Sequence, residues 1–460
     1  MKKLILLAVA LPSLAFAQPA DQIAAMRDDA MASDTLAWEI VEGLTTEVGQ
    51  RLAGTPAEER GREWAVRRLN ALGFSNVHVE SFEMPVWVRG EERAEIISPF
   101  PQSLVVTALG TSAATSARGL EAEVVGFASL AALEAAPESA VRGRIVFVDH
   151  AMRPTQDGSG YGAFGPARFR GPAVAARKGA AGIVIRSAGT DYHRNPHTGG
   201  TNWPEGVRAI PAGALSVPDA EQLARILSRG RPVRMRLTLT PRNLGRRQSG
   251  NVIAEVPGSD PTAAVILIGG HLDSWDLGTG AIDNAAGVGI TVAAAHRIMR
   301  AGQPRRTIRI VLFGAEEPGV FGGTAYFERH RSDGNIALVA ESDFGADRVW
   351  RANFSFAPGN AAVADRLAAA LAPLGIARGR GPAGAGADLG AWAGAGVAAV
   401  DLNQDGTRYF DYHHTPDDTL DKVDPAQLRQ NVAAWTAMLG VVANSPEPIA
   451  AREVPPPAAR

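Results

Sequence analysis

The chain has 460 residues, and its 46 Lys and Arg against 48 Asp and Glu leave a formal net charge of −2 with no block of like charge, so nucleic-acid binding has no electrostatic support. It contains no cysteine, which excludes a disulfide framework and a lipid-anchoring cysteine. Stability must therefore come from the core, and the chain is long enough to bury one.

At the N-terminus, Lys2 and Lys3, the apolar run Leu4 to Leu11 and Ala15-Phe16-Ala17 read as a signal peptide (1–17) cleaved after Ala17. That run is too short to span a bilayer, and no later stretch reaches the ~20 apolar residues a membrane helix needs. The expectation is a periplasmic or secreted bacterial protein with no membrane anchor. Residues 21–47 and 57–72 read as helices, the second with Trp64, Val66, Leu69 and Leu72 at helical spacing and Gly73 as its stop. Val77 to Phe82 reads as an edge strand.

From about Gly119 the texture changes to short strands between Gly and Pro turns, as at Glu123–Phe127, Gly143–Val148 and Gly182–Arg186, with a small helix at Ala173–Lys178. This stretch, 118–245, reads as a domain inserted between 18–117 and 246–446. Within it His193 and His197 show HxxxH spacing, but Pro196 and the following glycines indicate a loop, so both are expected on the surface or lining a cleft. His78, His150, His296 and His330 have no convergent partners and read as structural. Arg242, Arg246 and Arg247 read as solvated surface.

The chemistry-bearing motifs follow. Val265 to Ile268 is a short aliphatic run typical of a strand buried on both faces, and His271, Asp273 and Asp283 lie just beyond it around Gly278-Thr279-Gly280. His271 would emerge at the carboxyl end of that strand, where open α/β sheets place their sites. Asp273 is placed to accept the other ring N–H of a ligating His271. A second run, Thr307 to Phe313, delivers Glu316 and Glu317; a third, Ile336 to Ala340, ends in Glu341-Ser342-Asp343; a fourth, Val397 to Leu402, precedes Tyr412-His413-His414.

His271, Asp283, Glu317, Asp343 and His414 are thus five candidate ligands. Two imidazoles and three carboxylates suit zinc and not calcium. Five are too many for one catalytic zinc but fit two Zn2+ if one carboxylate bridges. Glu316 stays free beside a ligand, and with a reference pKa of about 4.3 it can take a proton from a metal-activated water and pass it to a departing amine. The segments Gly379–Leu389, including Asp388, and Asp405–Tyr412 are expected to line a substrate pocket. The catalytic part ends in a helix, Pro425–Ala443, with Asp424 as cap, Gln427 completing a capping box and a stripe of Leu428, Val432, Trp435, Leu439 and Val442. The tail, 447–460, carries three consecutive prolines and is expected to be disordered.

The stretches SGNVIAEVPG, GGHLDSWDLGTGAIDNAAG, the Glu-Glu turn, ESDFG and HHTPDDTLDKVDP resemble the co-catalytic dinuclear zinc aminopeptidases and carboxypeptidases, in their carboxypeptidase Q-like branch. VGQRLAGT and FEMPVWVRGEE share in the resemblance, which runs almost end to end. It implies an α/β fold with a mixed, mostly parallel sheet covered by helices on both faces, and an inserted β-rich protease-associated domain. It implies that Asp283 bridges two zinc ions, that His271 and Asp343 complete one site and Glu317 and His414 the other, that Glu316 is the general base and that Asp273 orients His271. His413 is implied to lie in the active site, either contacting the tetrahedral intermediate or packing against its neighbour. Small unblocked peptides, cleaved at one terminus, are the implied substrates, and a homodimer the implied assembly.

Three other readings compete. Aminoacylases and dipeptidases of a sister clan place their second domain between the fourth and fifth ligands, where Asp343 and His414 leave no room. A glutaminyl cyclase-like acyl transferase would dispense with His271 and Asp343. A non-catalytic binding or receptor-like protein would have lost ligands, whereas all five and Glu316 are present.

Overall fold

The computed structural model describes residues 20–452. The expected signal peptide and residues 453–460 of the tail lie outside them. In chain order the strands are β1 (Ser75–Val88), β2 (Glu92–Ser98), β3 (Gln102–Leu104), β4 (Val106–Ala108), β5 (Leu120–Phe127), β6 (Ile145–Val148), β7 (Gly182–Arg186), β8 (Ala212–Leu215), β9 (Arg234–Leu239), β10 (Arg242–Val256), β11 (Val265–His271), β12 (Ile308–Phe313), β13 (Ile336–Glu341), β14 (Val349–Ser355), β15 (Ala377–Arg378) and β16 (Ala398–Gln404).

They form two sheets. The first has the order β1-β10-β12-β11-β13-β16-β14-β15, with parallel pairs around β11 at its centre, antiparallel pairs on either side of these, and a short parallel pair β14-β15 at one edge. Successive residues of β11 serve opposite faces: Ile266 and Ile268 join a core with the helices Leu36–Gly43, Ala286–Ala301 and Pro425–Asn444, while Leu267 joins Phe313, Tyr326 and Trp392 on the other side. Burial on both faces is why β11 opens with an unbroken aliphatic run and its neighbours are mostly apolar, with Arg309 of β12 paired to Glu255.

The second sheet has the order β3-β2-β9-β5-β6-β7-β8-β4. It takes in β2, β3 and β4, so its strands begin at Glu92 and not after position 118, where the texture of the sequence changes. The chain crosses between sheets twice, at Arg89-Gly90-Glu91 and again at Thr240-Pro241, and the two crossings touch. A Cβ on Gly90 would lie 2.0 Å from the Thr240 carbonyl oxygen, so this crossing requires glycine.

Three further expectations change. The single helix read over 21–47 breaks once, into Ala20–Ser33 and a second stretch, Leu36–Gly43 continued by a wider turn at Leu44–Val48, because the Asp34 carboxylate turns in to accept the Ala37 N–H at 3.1 Å and caps a new helix. Asp424 caps the last helix, accepting from the Ala426 and Gln427 N–H groups at 2.7 and 3.1 Å, but Gln427 closes no capping box; its side-chain oxygen accepts from the Arg348 N–H at 2.9 Å. The start of the tail is ordered: Asn360 holds it through the Pro448 carbonyl and the Ala450 N–H at 2.7 and 3.0 Å, Arg452 N–H donates to the Gly396 carbonyl, and Ile449 is buried. Among the described residues no helix is long and apolar enough to cross a membrane.

Candidate metal centre

The parallel register aligns the carboxyl ends of three central strands. His271 pairs with Phe313, the last residue of β12, and Gly269 with Glu341 at the end of β13. His271, the Glu316-Glu317 turn and Asp343 are therefore delivered to one edge of the sheet. Asp283 returns to that edge from the loop after β11, and His414 arrives from the short helix Tyr409–Tyr412 beyond β16.

Asp283 stands between the two imidazoles. Its Oδ1 is 2.9 Å from His271 Nε2 and its Oδ2 is 3.2 Å from His414 Nε2. His271 Nε2 is also 3.3 Å from Asp343 Oδ1, and His414 Nε2 is 2.9 Å from Glu317 Oε2. Two triads result: His271-Asp283-Asp343, whose donors all lie close together, and one centred on His414 Nε2, which Glu317 and Asp283 both approach and which His413 adjoins, the Asp283 carboxylate being common to both. Donors bonded at roughly 2.0–2.2 Å to a tetrahedral ion stand about 3.3–3.5 Å apart, close to these spacings, so the donor set suits ions of zinc's kind. All five side chains are buried except that of Asp343, which is 17 % exposed.

Burial and the crowding of acids shift several groups at this edge. Burial, with Asp283 as the next contributor, raises Glu317 to about 7, and burial with Asp343, Glu317 and Asp273 nearby raises Glu316 well above the usual carboxylate range. Burial opposes ionisation of Asp283, but the His271 and His414 rings bonded to it hold its carboxyl well below that range. Burial alone would lower His414; Glu317 and Asp283 override it and raise the ring to about 9. Such a concentration of carboxylates asks for cationic partners.

Asp273 meets the His271 ring more closely with its backbone than with its side chain. Its carboxylate is 3.6 Å from His271 Nδ1, beyond hydrogen-bond range, and it is the Asp273 backbone carbonyl that receives this nitrogen, at 3.1 Å. The carboxylate instead accepts the N–H groups of Glu316 and Glu317 at 3.0 and 3.3 Å. Ala315, at φ +58°, turns those two amides inward. Asp273 thus holds the Glu-Glu turn.

His413 stacks on His414 with ring centroids 3.5 Å apart and sits among Tyr161, Tyr409 and Phe410. Its Nε2 is 3.5 Å from Asp283 Oδ2, so it borders the second triad. Its Nδ1 has no partner, and burial beside His414 pushes its pKa well below the usual histidine value, leaving the ring neutral.

Asp388, expected to line a pocket, is buried: it accepts from the Gly323 N–H at 3.0 Å and its own N–H donates to Glu341 at 2.9 Å. It braces the strand end that carries Asp343. His197 is likewise buried, 3.0 Å from Asp191, whereas His193 is exposed near Asp417. The HxxxH pair is split between two environments.

Residues to which the sequence reading gave no individual role also shape the site. The Thr198 carbonyl, from the loop after β7, accepts from His414 Nδ1 at 3.2 Å, and the Thr198 N–H donates to the His414 carbonyl at 3.1 Å. His414 has a left-handed backbone, φ +62°, which costs a β-carbon residue roughly 1–2 kcal/mol, and this two-way grip helps to hold it. Arg51 is fully buried and donates to the carbonyls of Leu272, Thr279 and Gly280 at 2.6, 2.6 and 2.9 Å, fixing the loop between His271 and Asp283. Asp418 caps the start of the Asp283 turn, accepting from Ala281 and Ile282 N–H at 2.8 and 2.7 Å.

A mixed α/β sheet carrying paired His/carboxylate triads at its carboxyl edge, with a free glutamate beside them, defines a metallohydrolase. Residues 251–439 match the description Peptidase family M28. The chain is 34% identical to carboxypeptidase Q of Homo sapiens over 406 residues, 88% of this chain and 84% of that one, and equally to that of Bos taurus. The crystal structure of a Peptidase M28 precursor from Shewanella amazonensis SB2B superposes with a TM-score of 0.92 at 45% identity, covering 95% of this chain and 99% of that one. A zinc aminopeptidase from Bacillus subtilis shares the fold, with a TM-score of 0.66 at 19% identity over 89% and 95% of the two chains. The chain belongs to peptidase family M28 and is a metallo-exopeptidase.

Proposed function

We propose that the protein is a secreted or periplasmic dinuclear zinc exopeptidase that hydrolyses dipeptides or short peptides. The observation that carries this reading is the placement of the two Asp283 oxygens against two different histidines, each with a further carboxylate. His271 and Asp343 would hold one Zn2+, Glu317 and His414 the other, with Asp283 shared. Bound there, zinc supplies Lewis-acid polarisation of a scissile carbonyl and acidifies a water.

The chain's own groups do the rest. Glu316 is free of ligand duty and its backbone is fixed by Asp273. Its carboxyl, raised by burial in the metal-free protein, would be favoured in its ionised form by cations held beside it, and as a carboxylate it takes the proton of the attacking water and releases it to the departing amine. Neutral His413 borders the second triad, where a ring N–H can donate to charge developing on the carbonyl oxygen. Export is supported by the composition of residues 1–17, and the homodimer by resemblance alone.

The test is metal analysis of purified protein followed by a panel of dipeptides with either terminus free or blocked, read by mass spectrometry. About two zinc per chain and release of one terminal residue are expected. Protein that takes up no zinc and cleaves no dipeptide with zinc supplied would overturn the reading.

A further inference from the structure

Arg89 lies where the chain leaves β1 for the second sheet, with its side chain only 11 % exposed. Its guanidinium faces three elements at once. Nη1 donates to Glu92, to the Thr107 hydroxyl and to the Ala108 carbonyl, at 2.6, 2.7 and 2.8 Å, all in the second sheet. Nε and Nη2 grip Asp276, in the loop between His271 and Asp283, with contacts of 2.8 to 3.1 Å. Nη2 also donates to the Thr198 hydroxyl at 3.0 Å.

The last two contacts lead to different triads. Asp276 belongs to the loop that spaces His271 from Asp283. Thr198 is the residue whose peptide brackets His414 through both its carbonyl and its N–H. One planar group therefore joins the segment serving the first triad to the segment serving the second, on a path that passes through the second sheet.

The arrangement suits arginine in particular. Its rigid fork meets Asp276 with two nitrogens while a third reaches Glu92, which a lysine ammonium on a single flexible stem cannot reproduce. The side chain also lies over Trp87, with Cζ 5.4 Å from the ring centroid, and Trp87 packs edge-on against Trp275 of the same loop.

We propose that Arg89 is a positioning residue that sets the spacing of the two metal triads, acting on the His271–Asp283 loop through Asp276 and on His414 through Thr198. It touches no ligand and no reacting atom. This rests on the dinuclear reading above.

The experiment titrates zinc into wild type, Arg89→Lys, Thr198→Val and the double variant against a chromogenic chelator, with kcat and KM on one dipeptide. Loss of an outer partner of a metal ligand typically costs ~10–100-fold in affinity or activity, and Arg89→Lys is expected to weaken at least one ion by that order and to lower kcat more than it changes KM. Thr198→Val removes the hydroxyl and keeps the peptide that meets His414, so a smaller loss is expected. The double variant should be little worse than Arg89→Lys, because the two changes break one connection.

Affinity for both ions and kcat equal to wild type in Arg89→Lys would overturn the proposal, whatever the change in Tm. Should that variant fail to fold, unchanged zinc affinity and kcat in Thr198→Val would overturn it equally. The wild-type titration keeps the dinuclear reading separate: fewer than two ions there refutes that reading itself and removes this inference with it.

Discussion

Asp273 receives the backbone N–H of Glu316 on one carboxylate oxygen at 3.0 Å, while its other oxygen receives the N–H of Glu317 at 3.3 Å. The residue two positions after one metal-ligand candidate thus fixes the turn that carries another, together with the free glutamate.

Asp273→Asn would keep the size of this side chain but turn an amide NH2 toward a backbone N–H. Loosening of the Glu-Glu turn should lower kcat by roughly 10–100-fold. Zinc content should fall little, since His271 is held by the Asp273 carbonyl. Steady-state kinetics with metal analysis of the same preparation checks this, and wild-type kcat would refute it.

Glu316→Gln removes the proton carrier and leaves the donor set whole. A loss in kcat of about 10²–10⁴-fold is expected with zinc uptake preserved. Activity within a few-fold of wild type would take Glu316 out of the role.

Asp283→Asn leaves one oxygen where two now face His271 and His414. Zinc stoichiometry should fall from about two to about one or below. Retention of both ions, measured by atomic absorption after dialysis, would contradict a shared carboxylate.

Zinc binding should release protons. In the metal-free protein His414 is raised to about 9, so at pH 7 its ring is protonated, and a ligating imidazole must be neutral. The sign follows: zinc affinity rises with pH up to about 9 and falls as pH drops. The metal-free fold has the opposite dependence on this group. Its folded pKa lies above the usual histidine value, so its contribution to stability is complete below about 6.5 and disappears as pH rises through about 9. Calorimetric titration in buffers of different ionisation enthalpy reads the released protons, and heats independent of buffer would contradict the prediction.

Gly287→Ala tests the packing beneath the site. A Cβ there would meet the Ser342 carbonyl oxygen at 2.0 Å and Asn284 Oδ1 at 2.2 Å, with no flexible side chain to yield on the carbonyl side. Overpacking of this kind costs about 1–3 kcal/mol, so a lower Tm is expected in thermal unfolding. An unchanged Tm would show that the helix start can shift at no cost.

The sequence revealed most where residues are buried on both faces. The aliphatic runs of β11, β12, β13 and β16 are legible because nothing else satisfies a central strand, and each leads to one of the candidate ligands, which the structure gathers within 2.9 to 3.3 Å of a neighbour. Strands β3 and β4 escaped notice because each has only three residues, and β2 because polar residues interrupt its apolar ones, and texture alone marks no crossing between sheets. Spacing brought Asp273 to the His271 ring but does not say which group meets it, and the carbonyl of Asp273 lies nearer, at 3.1 Å, than its carboxylate, at 3.6 Å. Thr198 left no trace at all, since it meets His414 with its peptide group, which every residue possesses. Arg51 and Arg89 lie in stretches that showed family resemblance, but an arginine's usefulness depends on what surrounds it, and those surroundings come from distant parts of the chain.

The Thr198 grip on His414 makes the second layer part of the catalytic apparatus, and this bears on how the protein could be divided. The first sheet with its helices, excised, would keep four of the five candidate ligands yet present the fifth on a left-handed turn that has lost its Thr198 contacts. Minimal versions built from the sheet alone should therefore fold better than they work. Any ligand or mutation that shifts one layer against the other should register first as a change in metal occupancy.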